Sequence, residues 1–217
     1  MIKPNGYDST VSSLGYVKPI ELGGHKMVIK ELTETTGRAN QPVVVIKLDT
    51  SNQDRDPHYY SDRYIEDNKP DKKWPHAGTF YLNVYERGTN NCSRQFKTFC
   101  ESVEKSDPAG QFKVNFDVED FGAQFQGRLI GGIIGDEIGF YNGAETKLRK
   151  VRFFCPYNEA YKQRAPEPLY TDEWKKAREN YAIPSTPSAN LNVGAANSSL
   201  PDDFMMMPDD AEELPFN

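Results

Sequence analysis

The sequence predicts a mainly β fold: a small five-stranded Greek-key barrel with one helix between the third and fourth strands, followed by a disordered acidic C-terminal tail. Three observations predict it. Short segments alternate apolar and polar residues and are separated by turn residues, one central stretch has helical periodicity, and one apolar stretch is broken by glycines.

Residues 1–23 are rich in Gly, Ser and Pro and read as a loose lead-in. Met27, Val28, Ile29 and Leu32 give the first strand, over residues 25–35. The second covers 43–48, where alternation sets Val44, Ile46 and Leu48 on one face. A polar stretch over about 51–76 reads as a long loop, and loops of that length are usually functional or mobile. Residues 79–87 form the third strand, with Phe80, Leu82 and Val84 on one face and Tyr81, Asn83, Tyr85 and Arg87 on the other. Asn90 and Asn91 offer N-cap chemistry for a helix running through Lys105, whose Phe96, Phe99, Cys100 and Val103 make one apolar stripe. The run from Ser106 through Pro108 to Gly110 ends it.

Residues 125–138 are apolar on both faces and carry Gly127, Gly131, Gly132 and Gly135, the pattern of a strongly bent strand. Asn142-Gly143 signals a hairpin, and the return strand over 145–155 carries Lys147, Arg149, Lys150 and Arg152. A short helix follows over 171–181. Five strands in this order, with the helix after the third, suit a barrel of the oligonucleotide-binding type spanning residues 24–182. A mixed α+β sheet is the competing arrangement.

Charge is distributed unevenly. The chain has 26 basic and 32 acidic residues, and six of the acids (Asp202, Asp203, Asp209, Asp210, Glu212, Glu213) lie in 183–217, which contains no Lys or Arg. The remaining 26 acids balance the 26 bases, so the net charge of −6 sits on the tail. Like charges keep such a segment extended and solvated, and its Leu214-Pro215-Phe216 tip adds an apolar hook suited to docking. A neutral body argues against avid duplex binding, which needs many phosphate contacts. The three cysteines form no Cys-x-x-Cys pair, no basic-then-apolar leader opens the chain, and no apolar run reaches membrane-spanning length. A reducing cytoplasm and no membrane partner are the expectation.

Catalytic signatures are weak. Gly131-Gly132-Ile133-Ile134-Gly135 lacks the Lys-Ser/Thr that completes a phosphate loop. Asp54, Asp56, Asp62, Glu66, Asp67 and Asp71 crowd the long loop among Arg55, Arg63, Lys69, Lys72 and Lys73, the look of a solvated mixed-charge segment. His25, His58 and His76 are isolated. No enzyme activity, metal or cofactor is expected, although a metal-dependent nuclease using the loop carboxylates remains an alternative, as does a protein-only adaptor.

Basic and aromatic residues interleave more tellingly. Cations track phosphates while flat rings accept bases, with stacking worth roughly 1–3 kcal/mol per base. Tyr81, Tyr85 and Arg87 share a strand face, and Lys150, Arg152 and Phe154 share a parity on the return strand. Lys147 and Arg149 complete the stripe. Tyr59, Tyr60 and Trp74 in the long loop are flap candidates that equally well pack the loop down.

With these residues in view, the chain resembles the single-stranded DNA-binding proteins encoded by tailed phages. The likeness rests on Phe80-Tyr81-Leu82-Asn83-Val84-Tyr85 leading into the Phe96/Phe99 helix, on Ser102-Val103-Glu104-Lys105-Ser106, on Phe125, Gly127, Arg128 and Leu129, and on Tyr141-Asn142-Gly143. The tail is similar to the acidic tail of bacterial single-stranded-DNA-binding proteins, whose Pro-Phe tip docks on replication and repair partners; here Asn217 follows the Phe. The resemblance implies a barrel that coats single strands during phage replication and recombination in the host cytoplasm. It also implies partner binding through Asp209, Asp210, Glu212, Glu213, Leu214, Pro215 and Phe216.

Overall fold

The computed structural model describes residues 18–37 and 40–181, so the predicted tail, including Asp209 to Phe216, and most of the lead-in lie outside the described residues. The chain is mainly β. Strands β1 (Gly23–Thr36), β2 (Pro42–Thr50), β3 (Thr79–Asn83), β4 (Leu129–Tyr141) and β5 (Ala144–Cys155) join in the order β3-β2-β1-β4-β5, every neighbouring pair antiparallel. A two-residue strand, β6 (Leu169–Tyr170), pairs in parallel with β4 at Glu137 and Ile138, beyond the point where β1 leaves that edge. Three helices accompany the sheet: α1 (Tyr59–Glu66), α2 (Arg94–Ser106) and α3 (Asp172–Tyr181). None is long and apolar enough to cross a membrane.

The inward faces are those the alternation predicts on β2, with Val44, Ile46 and Leu48 buried, and on α2, with Phe96, Phe99, Cys100 and Val103 buried. A file of aromatic rings crosses the interior. Phe80 of β3 meets Phe154 of β5 at 4.9 Å, Phe154 meets Phe99 of α2 at 5.2 Å, and Phe99 meets Phe125 at 5.3 Å. Among the described residues no backbone ladder joins β3 to β5, so the ring contact is what bridges these two strands.

Asn142 and Gly143 take positive φ (48° and 82°), the paired left-handed geometry that a two-residue hairpin needs and that Asn-Gly supplies at low cost. Two register shifts bend the sheet. On β1, Ile29 opposes Leu48 and Glu31 opposes Lys47, leaving Lys30 as the extra residue. On β5, Phe153 opposes Ile133 and Val151 opposes Ile134, leaving Arg152 extra. A bulge of this kind reverses the in-out alternation of everything beyond it.

Helix α2 is capped by Ser93, not by Asn90 or Asn91. Its Oγ accepts from the Phe96 N–H (3.1 Å) and donates to the Asn83 carbonyl (2.6 Å), tying the end of β3 to the start of the helix. A cap bonds the N–H two or three residues ahead of it, and Ser93 stands three before Phe96, while Asn90 and Asn91 lie too far back to reach it. Ser93→Ala is expected to lower stability by about 1 kcal/mol in urea denaturation.

The long loop is also more ordered than its composition suggests. It contains α1, whose N-terminal residue His58 lies in the left-handed region (φ 55°) and makes no side-chain cap. Asp49, at the end of β2, substitutes: its carboxylate accepts from the Tyr60 N–H (3.0 Å), the Ser61 N–H (3.2 Å) and the Ser61 hydroxyl. Nearby, His25 and Asp54 form a fully buried pair, with Nδ1 2.9 Å from Oδ1 while Nε2 donates to the Glu21 carbonyl. Burial pushes the Asp54 carboxyl up, but hydrogen bonds from His25 and from the Asp56 and Lys26 N–H groups outweigh it and hold it below the ordinary 3.8. The folded value therefore lies below the unfolded one. The carboxyl's contribution is complete above its ordinary range and is lost as pH falls through the lowered value. Asp54→Asn should destabilise the chain at pH 7, with the gap to the native chain narrowing below pH 4 in denaturation curves.

Candidate nucleic-acid interface

The outward face of β3 places Tyr81 beside Val45 of β2, and 61% of its surface is exposed. The predicted partners on its face diverge. Strand β3 stops at Asn83, so Tyr85 is a half-buried residue bridged only to Cys92, and Arg87 lies in the turn that follows. The strand ends early because Ser93 takes the Asn83 carbonyl into the helix cap.

The aromatic residues of the long loop pack down. Tyr60 is fully buried, its hydroxyl unpaired and pushed far upward by burial. The Tyr59 hydroxyl accepts from the Ile20 N–H (2.7 Å) and its ring lies 3.8 Å from the Arg63 guanidinium. Trp74 donates from Nε1 to the Leu48 carbonyl (3.2 Å), with its ring against Tyr64. The carboxylates of this region likewise face separate partners: Asp49 the start of α1, Asp54 His25, and Asp56 Lys18. Among the described residues no three His, Cys, Asp or Glu side chains converge to hold a metal.

The basic stripe of β5 is largely neutralised by β4. Lys147 lies 2.9 Å and Arg149 3.4 Å from Asp136, and Lys150 lies 2.7 Å from Glu137. Arg149 also donates to the Ile20 carbonyl. Asp136 is itself buried, and a buried carboxylate requires such cations. Only Arg152 of the four lacks a carboxylate partner; its Nη1 reaches the Asp136 backbone carbonyl at 3.4 Å.

The bulge at Arg152 corrects the reading of Phe154. Equal parity with Lys150 would set both on one face, but the inserted residue turns Phe154 inward, where it is only 7% exposed and packed on Phe80 and Phe99. Phe153 takes the outward place, with 44% of its surface exposed. The same insertion lets two consecutive residues, Arg152 and Phe153, line one groove.

That groove, about 170 Å³, lies where β3 and β5 approach without a ladder, at the first turn of α2. Phe80, Phe153 and Phe154 form its apolar wall, and Arg94, Gln95, Thr98 and Arg152 its polar rim. The Arg94 side chain is almost wholly in solvent, with Glu86 at the 4.0 Å limit of an ion pair. An exposed ring that shares a groove with two guanidiniums is an arrangement that can accept a base and its phosphates. Sequence reasoning missed Arg94 and Phe153. The adjacent rings Phe153-Phe154 held a usable signal, since neighbours on a strand cannot both face the core.

A second basic-aromatic patch, also unanticipated, surrounds the half-exposed Tyr161 in the 3-10 turn Tyr157–Lys162. Lys26 lies 5.3 Å and Arg55 5.5 Å from the Tyr161 ring, and Lys26 lies 5.0 Å from that of Tyr157. Arg55 is engaged by Glu21 (3.3 Å) and the Gly24 carbonyl (2.8 Å), which makes the patch less cationic than its composition. Compared with models of known protein families and with curated protein sequences, the chain matches none.

Proposed function

We propose that this chain is a non-enzymatic single-stranded DNA-binding protein built on a barrel of the oligonucleotide-binding type. The strand order β3-β2-β1-β4-β5, with α2 between β3 and β4, supports the barrel. The observation that carries the function is the groove at the β3–β5 approach, which Arg94, Arg152 and the exposed ring of Phe153 line together. Tyr81, on the outward face of β3, offers a further ring for an adjacent base. Phosphates meet the two arginines, and Lys147, Arg149 and Lys150 act mainly through their pairs with Asp136 and Glu137. In this reading the acidic tail recruits replication or recombination proteins through Leu214, Pro215 and Phe216, and the protein works in the cytoplasm of a bacterial host during phage replication.

Fluorescence anisotropy of the full chain on labelled oligo-dT and a matched duplex, across a salt series, tests the proposal. Single-strand binding is expected to exceed duplex binding. Each phosphate contact contributes about 0.7 to the slope of log affinity against log salt on single strands. Arg94→Ala with Arg152→Ala should therefore flatten the slope by about 1.4. Equal affinity for the two DNA forms, or an unaltered slope, would overturn the assignment.

A further inference from the structure

The connection from α2 to β4, residues 107–128, has no regular structure beyond the 3-10 turn Ala123–Phe125, yet side chains clamp it along its length. Asp107 accepts from the N–H groups of Gln111 (2.8 Å) and Phe112 (3.0 Å) and pairs with Arg128 (3.3 Å). Glu104 accepts from the Val114 N–H (3.0 Å) and pairs with Lys113. Gln124 closes the middle: its Oε1 accepts from the Asn115 N–H (2.9 Å), and its Nε2 donates to the Asn115 (2.9 Å) and Phe121 (3.0 Å) carbonyls. Gly122 sits so close to the Leu32 carbonyl that no Cβ fits between them, which presses the loop onto β1. The Val114 N–H holds the Glu104 carboxyl below its ordinary value, and the Phe112 and Gln111 N–H groups do the same for Asp107, so both clamps are charged at neutral pH.

This rigid loop keeps a phenylalanine in water. Phe116 is 65% exposed and stacks at 5.4 Å and 21° on Phe121, which rests on Phe96 of α2. Val118, two residues on from Phe116, is also exposed. Phe116 also touches the buried Phe96 (6.4 Å), yet it leaves most of its ring in water, and an exposed ring held in place by such clamps makes a preorganised contact surface, an apolar ledge.

The charge around the ledge selects its occupant. Residues 114–127 contain Asp117, Glu119 and Asp120 and no Lys, Arg or His. Asp120 caps the Ala123 N–H, while Asp117 and Glu119 have no ion-pair partner among the described residues. Three carboxylates around an apolar ledge repel phosphate and anionic lipid alike, which turns nucleic acid and membrane away from this face. They attract a cationic peptide that brings an apolar side chain to cover the ring. We propose that Phe116, backed by Phe121 and flanked by Asp117 and Glu119, anchors a docking surface for a basic, apolar segment of a partner protein.

The test is an amide NMR titration of the isotope-labelled full chain with a short synthetic peptide alternating lysine and leucine. Control peptides carry glutamate for lysine or serine for leucine. Saturable shifts at residues 114–121 are expected with the lysine-leucine peptide alone. Phe116→Ser should weaken binding about tenfold or more, the behaviour of an anchor residue. Asp117→Asn with Glu119→Gln should weaken it and reduce its salt dependence. Both substitutions alter exposed side chains, and melting curves check that the fold is kept. Shifts confined to residues 183–217, binding unaffected by Phe116→Ser, or equal binding of the glutamate peptide would each overturn the proposal. So would a concentration-dependent dimer in sedimentation that Phe116→Ser abolishes, which would assign the ledge to a second copy of this chain.

Discussion

Replacing both Tyr81 and Phe153 with alanine is expected to raise the Kd for oligo-dT by about 30-fold or more. Two stacked rings at roughly 1–3 kcal/mol each set that floor. Tyr81 is 61% and Phe153 44% exposed, so their loss removes less buried area than loss of a core ring, and the melting temperature should fall less than in Phe154→Ala. Affinity measured on the folded fraction then reports the rings themselves. A Phe153→Ala effect without a Tyr81→Ala effect would confine the interface to the groove beside β5. Native affinity in the folded double variant would remove both rings from it.

Phe154→Ala has the opposite signature. Phe154 stands in the middle of the ring file, in contact with Phe80 on one side and Phe99 on the other. Truncating a buried phenylalanine to alanine typically costs about 3–5 kcal/mol. Against a total stability on the order of 5–15 kcal/mol, that is a large share. Chemical denaturation should show a much lower midpoint, and any DNA-binding defect should follow the unfolded fraction. Phe154→Leu keeps most of the volume and should retain both fold and affinity. A folded Phe154→Leu chain with greatly weakened binding would place Phe154 in the interface after all.

The fold was legible wherever a local period carried it. The Val44/Ile46/Leu48 face, the Phe96/Phe99/Cys100/Val103 stripe and the Asn142-Gly143 turn all follow from spacing within a few residues. What escaped depends on partners distant in sequence. Helix α1 is started by Asp49 from the end of the preceding strand, and no local pattern announces a cap so far upstream. The candidate site was less legible, for two related reasons. The stripe Lys147, Arg149 and Lys150 looks cationic until β4 brings Asp136 and Glu137 alongside it. The parity rule that grouped Phe154 with Lys150 assumes an unbroken ladder, and one inserted residue, Arg152, exchanges Phe154 for Phe153 on the outward face. Phe116 was invisible for a different reason: its loop has no period, and its rigidity comes from side-chain clamps such as Gln124.

The contact between Phe80 and Phe154 has a mechanical consequence. A ladder between β3 and β5 would stiffen this side of the sheet, since spreading it would break several N–H···O=C bonds at about 1 kcal/mol each. Among the described residues no such ladder forms, and the edge-to-face pair Phe80–Phe154 joins the two strands, a contact worth about 0.5–1.5 kcal/mol beyond its buried area. The two edges can therefore part slightly at small cost while the rest of the sheet stays bonded. Under the single-strand binding proposed above, a cleft with a yielding wall would accommodate the broad face of a purine and the narrow one of a pyrimidine almost equally, and indifference to base sequence would follow from its compliance.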